Sequence, residues 1–209
     1  FIFFIYISLL CIGGVKMTSL ACFCSAPSSS DEGARLCRMR YFIDNRTWKE
    51  SVRTSITSLT SSVFVPSGDH RILISRVEAP NALGYEFPIG QLLSLTLGGG
   101  KVLLAHKSPE DQERIIEESA STTLADFKTQ TPETLRTDIK QILKTGIFVS
   151  SSERSQGTVS LTAPIRNAHD KGIASINSTG HDRHTNAEAI LEFQSTALQA
   201  ARRVSTQMF

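Results

Sequence analysis

Hydrophobic side chains recur every three or four positions over residues 45–60. Trp48, Val52, Ile56 and Leu59 share one side there, and this spacing predicts an amphipathic helix. The period then shortens. Val63-Phe64-Val65 and the run from Arg71 to Val77 are rich in β-branched residues, and Pro66-Ser67-Gly68-Asp69 between them supplies turn chemistry. The pair predicts a hairpin, with Ile72, Ile74 and Arg76 alternating against Leu73, Ser75 and Val77. Residues 84–87 are the expected third strand. Gly98-Gly99-Gly100 then opens a short apolar helix through Lys101-Val102-Leu103-Leu104-Ala105.

Two further helix starts are written in the same residue types. Ser108-Pro109 and Thr131-Pro132-Glu133 each place a hydroxyl at the N-cap and proline at the first helical position. Leu135, Ile139, Ile142 and Leu143 are the expected apolar face of the second of these helices. Lys144 and Gly146 mark its end, through the dipole and a left-handed cap respectively. Strands are expected at 147–150, 158–165 and 172–179, with residues 167–172 turning between the last two. Thr185 and Glu188 have capping-box spacing for a terminal helix whose expected buried stripe is Ile190, Leu191, Leu198, Ala201 and Val204. Strands segregated into two groups of three, with helices between and around them, predict an α+β domain. Its expected centre is one curved antiparallel sheet of about six strands flanked by helices.

Residues 1–43 follow a different pattern. Residues 1–15 are apolar but shorter than the roughly 20 residues of a spanning helix, and no basic residue precedes them as in a signal peptide. Two readings stand for residues 1–24: a fragment edge or mis-assigned upstream sequence, or a membrane or export segment. Residues 26–33 are a polar linker, and no helix-turn-helix pattern is legible before residue 44. The expected division is therefore an unassigned segment, 1–43, and a folded domain, 44–209.

Charge and cysteine usage narrow the function. With 22 Lys+Arg against 20 Asp+Glu, and the cations scattered, the chain carries no basic field to hold a phosphate backbone. Cys11, Cys22, Cys24 and Cys37 all precede the folded region, which reads as a reduced, cytoplasmic protein without disulfides. His181-Asp182-x-His184 lacks a third ligand, so no metal is expected, nor any cofactor. No Gly-x-Ser-x-Gly elbow, no Cys near a His in the body and no Walker spacing at Gly98-Gly99-Gly100-Lys101 point to catalysis. An enzyme is not expected.

The stretch Gly146-x3-Ser150-x2-Glu153-x3-Gly157-x2-Ser160-Leu161, continued by Ala163-Pro164-Ile165-Arg166-Asn167, is similar to the signature of the isocitrate lyase regulator (IclR) family. Gly-Gly-Gly-Lys-Val-Leu-Leu-Ala at 98–105, Ile-Asn-Ser-Thr at 176–179 and Arg183-x-Thr185 resemble other parts of the same family's C-terminal half. Pro164-Ile165-Arg166 and the Asn-containing strand lean toward its protocatechuate- or β-ketoadipate-sensing branch. Thr162 departs from the pattern, which has a smaller residue there, and Arg166 stands at a position that is commonly aromatic.

The resemblance implies a GAF/profilin-like effector-binding domain that assembles as a homodimer or homotetramer and senses a small organic acid. DNA contact would come only through a winged helix-turn-helix domain that is not in this chain, and no membrane partner is implied. A stand-alone ligand-binding or dimerisation module is the rival reading. Carried over by position, the effector-facing residues are Gly98, Gly99, Ser150, Ser160, Asn177 and Thr179. The family often has Asp at position 150 and Cys at 160, and loss of that acid favours a more anionic ligand.

The residue chemistry agrees with this set. Glycines at a helix start offer backbone N–H groups to a carboxylate. Serine hydroxyls donate or accept, and Asn177 and Thr179, two apart on a strand, face one side. Plainer readings stand beside it. The triple glycine is also a tight turn, Ser150 a polar strand end, Asn177 and Thr179 partners for sheet-edge groups, and Glu153 an anchor for loop amides. Arg202-Arg203 is a solvated helix end.

Overall fold

Six strands build the main sheet: β1 (Thr60–Ser67), β2 (His70–Val77), β3 (Leu92–Ser94), β6 (Phe148–Ser151), β7 (Thr158–Arg166) and β8 (Gly172–His181). They pair in the order β3-β2-β1-β8-β7-β6, all antiparallel. The sheet is two three-stranded meanders joined edge to edge where β1 meets β8, and it curls into a half-barrel. The computed structural model describes Lys49, residues 59–80 and residues 87–208. All of these lie in a single compact unit, Met39–Phe209.

Between the meanders come α1 (Gly100–Leu104), α2 (Pro109–Glu118), a two-stranded ribbon of β4 (Thr122–Thr123) and β5 (Thr129–Gln130), and α3 (Pro132–Thr145). Their caps follow the sequence. Ser108 accepts from the Asp111 amide, Thr131 and Thr134 form a reciprocal capping box, and Gly146 ends α3 at φ 74°. Val102, Leu103 and Leu104 of α1 pack with Ile115, Ile116, Leu135, Ile139 and Ile142 against Phe64, Leu73 and Phe148 of the sheet. By strand alternation Val159, Leu161, Ala163 and Ile165 project from the other face. All four are buried, and a 3-10 turn (Ala189–Phe193) and α4 (Gln194–Met208) pack across β7 there.

Several details differ from the sequence pattern. The third strand is Leu92–Ser94, and Phe87 lies outside any strand; residues 84–86 of the expected strand lie outside the described residues. The expected helix over 45–60 also lies outside them apart from three residues: Lys49 is helical, whereas Leu59 is a buried bend and Thr60 already begins β1. Leu143 and Leu191 are exposed and Leu198 half-buried; Ala197 and Ala200 fill the stripe instead, because the small residues allow α4 to lie close on β7. Thr185 and Glu188 form no capping box. Asn186 Oδ1 accepts from the amides of Glu188 and Ala189, so Asn186 caps the terminal segment, whose first turn is 3-10. The β4–β5 ribbon is too short to leave a periodicity.

One irregularity decides which side chains of β2 share a face with those of β1. In the β1–β2 ladder Val63 pairs with Ser75 but Phe64 pairs with Leu73, so Ile74 is an extra residue, a β-bulge. Beyond it the parity of β2 is reversed. Arg71 and Arg76, an odd and an even position, therefore present to the same face as Ser62 and Phe64.

Candidate functional site

The concave face of the sheet carries two adjacent rows of side chains, polar apart from Phe148 at one end. One row runs Ser150–Ser160–Thr179–Thr60 across β6, β7, β8 and β1, each neighbour a register partner of the next. The other runs Phe148–Thr162–Asn177–Ser62–Arg76 across β6, β7, β8, β1 and β2. Residues paired across a ladder point to one side, so two rows of strand register become one floor.

Above this floor lies a small, partly open cavity of about 60 Å3. Gly98, Gly99, Ser150, Ser160, Asn177 and Thr179 all line it, together with Thr60, Ser62, Phe64, Arg71, Arg76, Phe87, Glu153, Arg154 and Thr158. Residues from both meanders and from the glycine turn thus converge on one hollow. The three arginines, Phe64, Phe87 and Thr60-x-Ser62 are lining residues that sequence reasoning passed over. A signal existed: two arginines inside the apolar run Arg71-Ile72-Leu73-Ile74-Ser75-Arg76-Val77 are unusual for a core strand, since buried cations require a reason.

The hydrogen bonding of the floor is specific. Ser150 Oγ and Ser160 Oγ are 2.8 Å apart, and both residues are buried. Asn177 Oδ1 accepts from Thr162 Oγ1 at 3.3 Å and, more weakly, from Thr179 Oγ1 at 3.5 Å. With its oxygen so used, the amide of Asn177 turns its two N–H donors elsewhere.

The glycine turn works differently from the expectation. Its amides are largely taken: Gly98 N–H donates to Glu153 Oε2 at 2.8 Å, and Gly100 N–H to Leu97 O at 3.1 Å. The helix that follows has five residues, too few for a substantial dipole. The glycines serve close approach instead. A Cβ on Gly99 would stand 2.4 Å from Thr162 Oγ1 and 3.2 Å from Arg71 Nη1, and one on Gly100 would meet the Ser94 carbonyl oxygen at 2.5 Å. Gly98 holds φ 55°, a conformation that favours glycine.

Glu153 does anchor the turn, and it is anchored in its own right. Lys101, 1% exposed, places Nζ 2.9 Å from Glu153 and 2.7 Å from Asp138 Oδ2 of α3, with the Phe148 ring 4.9 Å away. The carboxylate charge of Glu153 is therefore spent on Lys101 and on the Gly98 amide.

Three arginines line the same cavity, and Arg76 Nη1 also lies 3.8 Å from Glu78 Oε1. Arg71 lies over Phe64 at 4.4 Å and donates from Nη2 to Leu97 O at 3.3 Å. Arg154 stacks on Phe87 at 4.9 Å, and Arg76 Nη2 donates to Phe87 O at 2.7 Å, so these two guanidinium groups gather around one aromatic residue. Arg76 Nε is buried without a hydrogen-bond partner. Among the described lining residues, three arginines face one carboxylate that is already paired. The arrangement attracts an anion.

Among the described residues no three His, Cys, Asp or Glu side chains come close enough to hold a metal ion. His181 Nδ1 pairs with Asp182 Oδ1 at 2.8 Å. No helix of the described residues is long and apolar enough to cross a membrane.

Residues 39–206 match the family model described as "Bacterial transcriptional regulator IclR C-terminal". The chain belongs to the IclR family of bacterial transcriptional regulators. It is 27% identical over 154 residues to the HTH-type transcriptional regulator BhcR of Paracoccus denitrificans (strain Pd 1222), covering 73% of this chain and 55% of that protein. It spans about half the length of the curated relatives it matches. An IclR homologue from Microbacterium hydrocarbonoxydans, solved with 4-hydroxybenzoate, superposes with TM-score 0.70 at 17% identity, over 83% of this chain and 69% of that one. The inducer-binding domain of a double mutant of PobR from Acinetobacter, solved with 3-hydroxybenzoic acid, gives TM-score 0.66 at 19% identity, over 79% and 94%. At these identities the likeness speaks for the fold, a half-barrel sheet with helices.

Proposed function

We propose that this chain is the sensing region of a transcriptional regulator and that its cavity receives a small organic acid. The contact set is Gly98, Gly99, Ser150, Ser160, Asn177 and Thr179, extended by Arg71, Arg76 and Arg154. The observation that carries the reading is the convergence of these guanidinium groups and hydroxyls, from both halves of the sheet, on one hollow. Two of the related folds were solved with hydroxybenzoates, which supports an acid as the ligand type, and acids of the protocatechuate and β-ketoadipate branch head the first panel.

In the proposed mechanism the chain works as a cytoplasmic homodimer or homotetramer. Occupancy of the cavity favours one packing of α1 and α3 over another and so changes subunit geometry. DNA is reached through a winged helix-turn-helix unit of a longer protein, and no catalytic step is assigned. The test is isothermal titration of the 209-residue chain with carboxylic acids and with their uncharged amides. Acids are expected to bind and amides to bind at least tenfold more weakly; binding of the amides alone overturns the reading.

A further inference from the structure

At about 60 Å3 the cavity is far smaller than the roughly 300–1,000 Å3 of pockets that enclose organic ligands. An acid enters only if a wall moves. On the footing that the cavity receives an acid, we propose that the stack of Arg154 on Phe87 is its gate. The two side chains part to admit the anion, and Arg154 then folds over it.

Elimination names the wall that moves. The floor is a ladder of backbone hydrogen bonds running from β6 to β2. The glycine turn has no slack, since even a Cβ on Gly99 would stand 2.4 Å from Thr162 Oγ1. Phe64 and Arg71 are buried in their strands. Glu153 is pinned at both carboxylate oxygens, by Lys101 Nζ at 2.9 Å and by the Gly98 amide at 2.8 Å, and its carbonyl accepts from the Ala125 amide at 3.0 Å. Arg154 and Phe87 are different, for both are half-buried and both lie in loops.

Those loops belong to opposite edges of the sheet. Phe87 precedes β3 and Arg154 follows β6, the first and last strands in the pairing order. The curl of the sheet brings them together, and the guanidinium carbon stands 4.9 Å from the ring centroid over a hollow that both residues line. A cation–π contact at such a site is weak and parts readily. No carboxylate pairs with Arg154 among the described residues, so no ion pair has to break. An anion offers the guanidinium charge-assisted hydrogen bonds instead, which favours closure over a bound acid. The post from which Arg154 swings is firm. Ser152 and Gly157, at φ 50° and 75°, bracket the loop; Ser152 N–H donates to Thr158 O at 2.7 Å, and Gly157 N–H to Ser152 Oγ at 3.0 Å.

The test is brief tryptic digestion of the 209-residue chain, because cleavage of a transiently opened segment tracks its open population. Cleavage after Arg154 is quantified by mass spectrometry as a ratio to cleavage after Lys171 in the exposed β7–β8 turn. Phe87→Leu keeps an apolar side chain but removes the ring face, and is expected to raise the ratio about two- to fivefold, the weight of one such contact. Phe87→Tyr is expected to leave it at the wild-type value. A general loosening would speed both cuts alike, and an unchanged ratio for Phe87→Leu overturns the gate. Protocatechuate, 4-hydroxybenzoate and succinate are the acid probes, each first titrated calorimetrically. At about ten times its Kd a bound acid leaves roughly a tenth of the chains open, so the ratio is expected to fall about tenfold. An acid that binds and leaves the ratio unchanged overturns the gate while acid sensing stands. Failure of all three to bind the wild-type chain overturns both.

Discussion

β6, β7 and β8 stay in register along the stretch that lines the cavity, their own irregularity falling beyond it at Ile165/Arg166, whereas β2 reaches the cavity through a bulge. In the C-terminal meander simple alternation carries Ser150, Ser160, Thr162, Asn177 and Thr179 to one face, and each hydroxyl or amide finds a neighbour one rung away. In the N-terminal meander the extra residue Ile74 lets two arginines five positions apart face the same way. The regular half supplies neutral hydrogen-bonding groups that satisfy one another. The irregular half supplies charge, which needs a local break in the ladder and aromatic support from Phe64 and Phe87. A strand defect here is a means of concentrating cations.

The two halves are joined at the glycine turn, and breaking that joint gives the largest expected effects. Lys101→Met leaves Glu153 and Asp138 without their shared cation. Removing one member of a buried pair costs roughly 3–5 kcal/mol, and the lower end applies because the Asp138 side chain is 33% exposed. Urea unfolding should show it as a fall in midpoint at unchanged slope. Arg136→Met, which breaks the exposed pairs with Glu113, Glu117 and Glu133, should shift the midpoint far less. A midpoint equal to wild type for Lys101→Met would show that the joint is not held by charge.

Next in size is Gly99→Ala. Gly99 has ordinary helical angles, φ −60° and ψ −7°, so the penalty is steric, chiefly the clash with Thr162 and to a lesser degree with Arg71 Nη1, about 1–3 kcal/mol for overpacking of this kind. Adding Thr162→Ala should recover most of it, because the new methyl then occupies the space the threonine side chain vacates. Failure of the double variant to recover would place the strain elsewhere. Gly99 is the neighbour whose missing side chain accommodates Thr162.

The same contrast explains what could be read in advance. Turn chemistry at Gly68, caps at Ser108 and Thr131 and the stop at Gly146 are local, and each forms as its residue type dictates. Regular alternation over 158–165 of β7 and 174–181 of β8 brings the polar floor to one face, and its residues were legible through the family resemblance. Arg71 and Arg76 were not, since a one-residue bulge reverses parity and leaves no mark in the composition. Arg154 sits in a loop, where periodicity says nothing. One helix-mouth amide is occupied for a longer-range reason: Glu153, 55 residues away from Gly98 in sequence, accepts from it. Glu153 as loop anchor was the plainer reading, and its geometry agrees with it.

A smaller effect probes the regular half. Ser150→Ala and Ser160→Ala each remove one end of a buried hydroxyl pair, and a double-mutant cycle should give a coupling of about 1 kcal/mol. Coupling near zero would mean that each hydroxyl is satisfied independently.

The smallest effect lies at the far end of α1 from the glycine turn. His106 bonds the Val102 carbonyl through Nδ1 at 2.8 Å and packs on Gly172 of β8, where a Cβ would come within 2.5 Å of its ring; its Nε2 is buried without a partner. Burial, aided by nearby Arg166, pushes its pKa below the usual 6.5, against the favourable Val102 bond. The unfolded chain then binds the proton more readily than the folded one. Stability should be constant above about pH 7 and decline as pH falls through 6.5 and onward to the folded pKa. The carboxylates held low by partners, such as Asp69 beside Arg114, act in a separate, more acidic range. Thermal midpoints between about pH 7.5 and 5.5 should therefore drop for the wild type and stay flatter for His106→Gln. Parallel curves for the two proteins would assign the decline to other groups and leave α1 insensitive to pH.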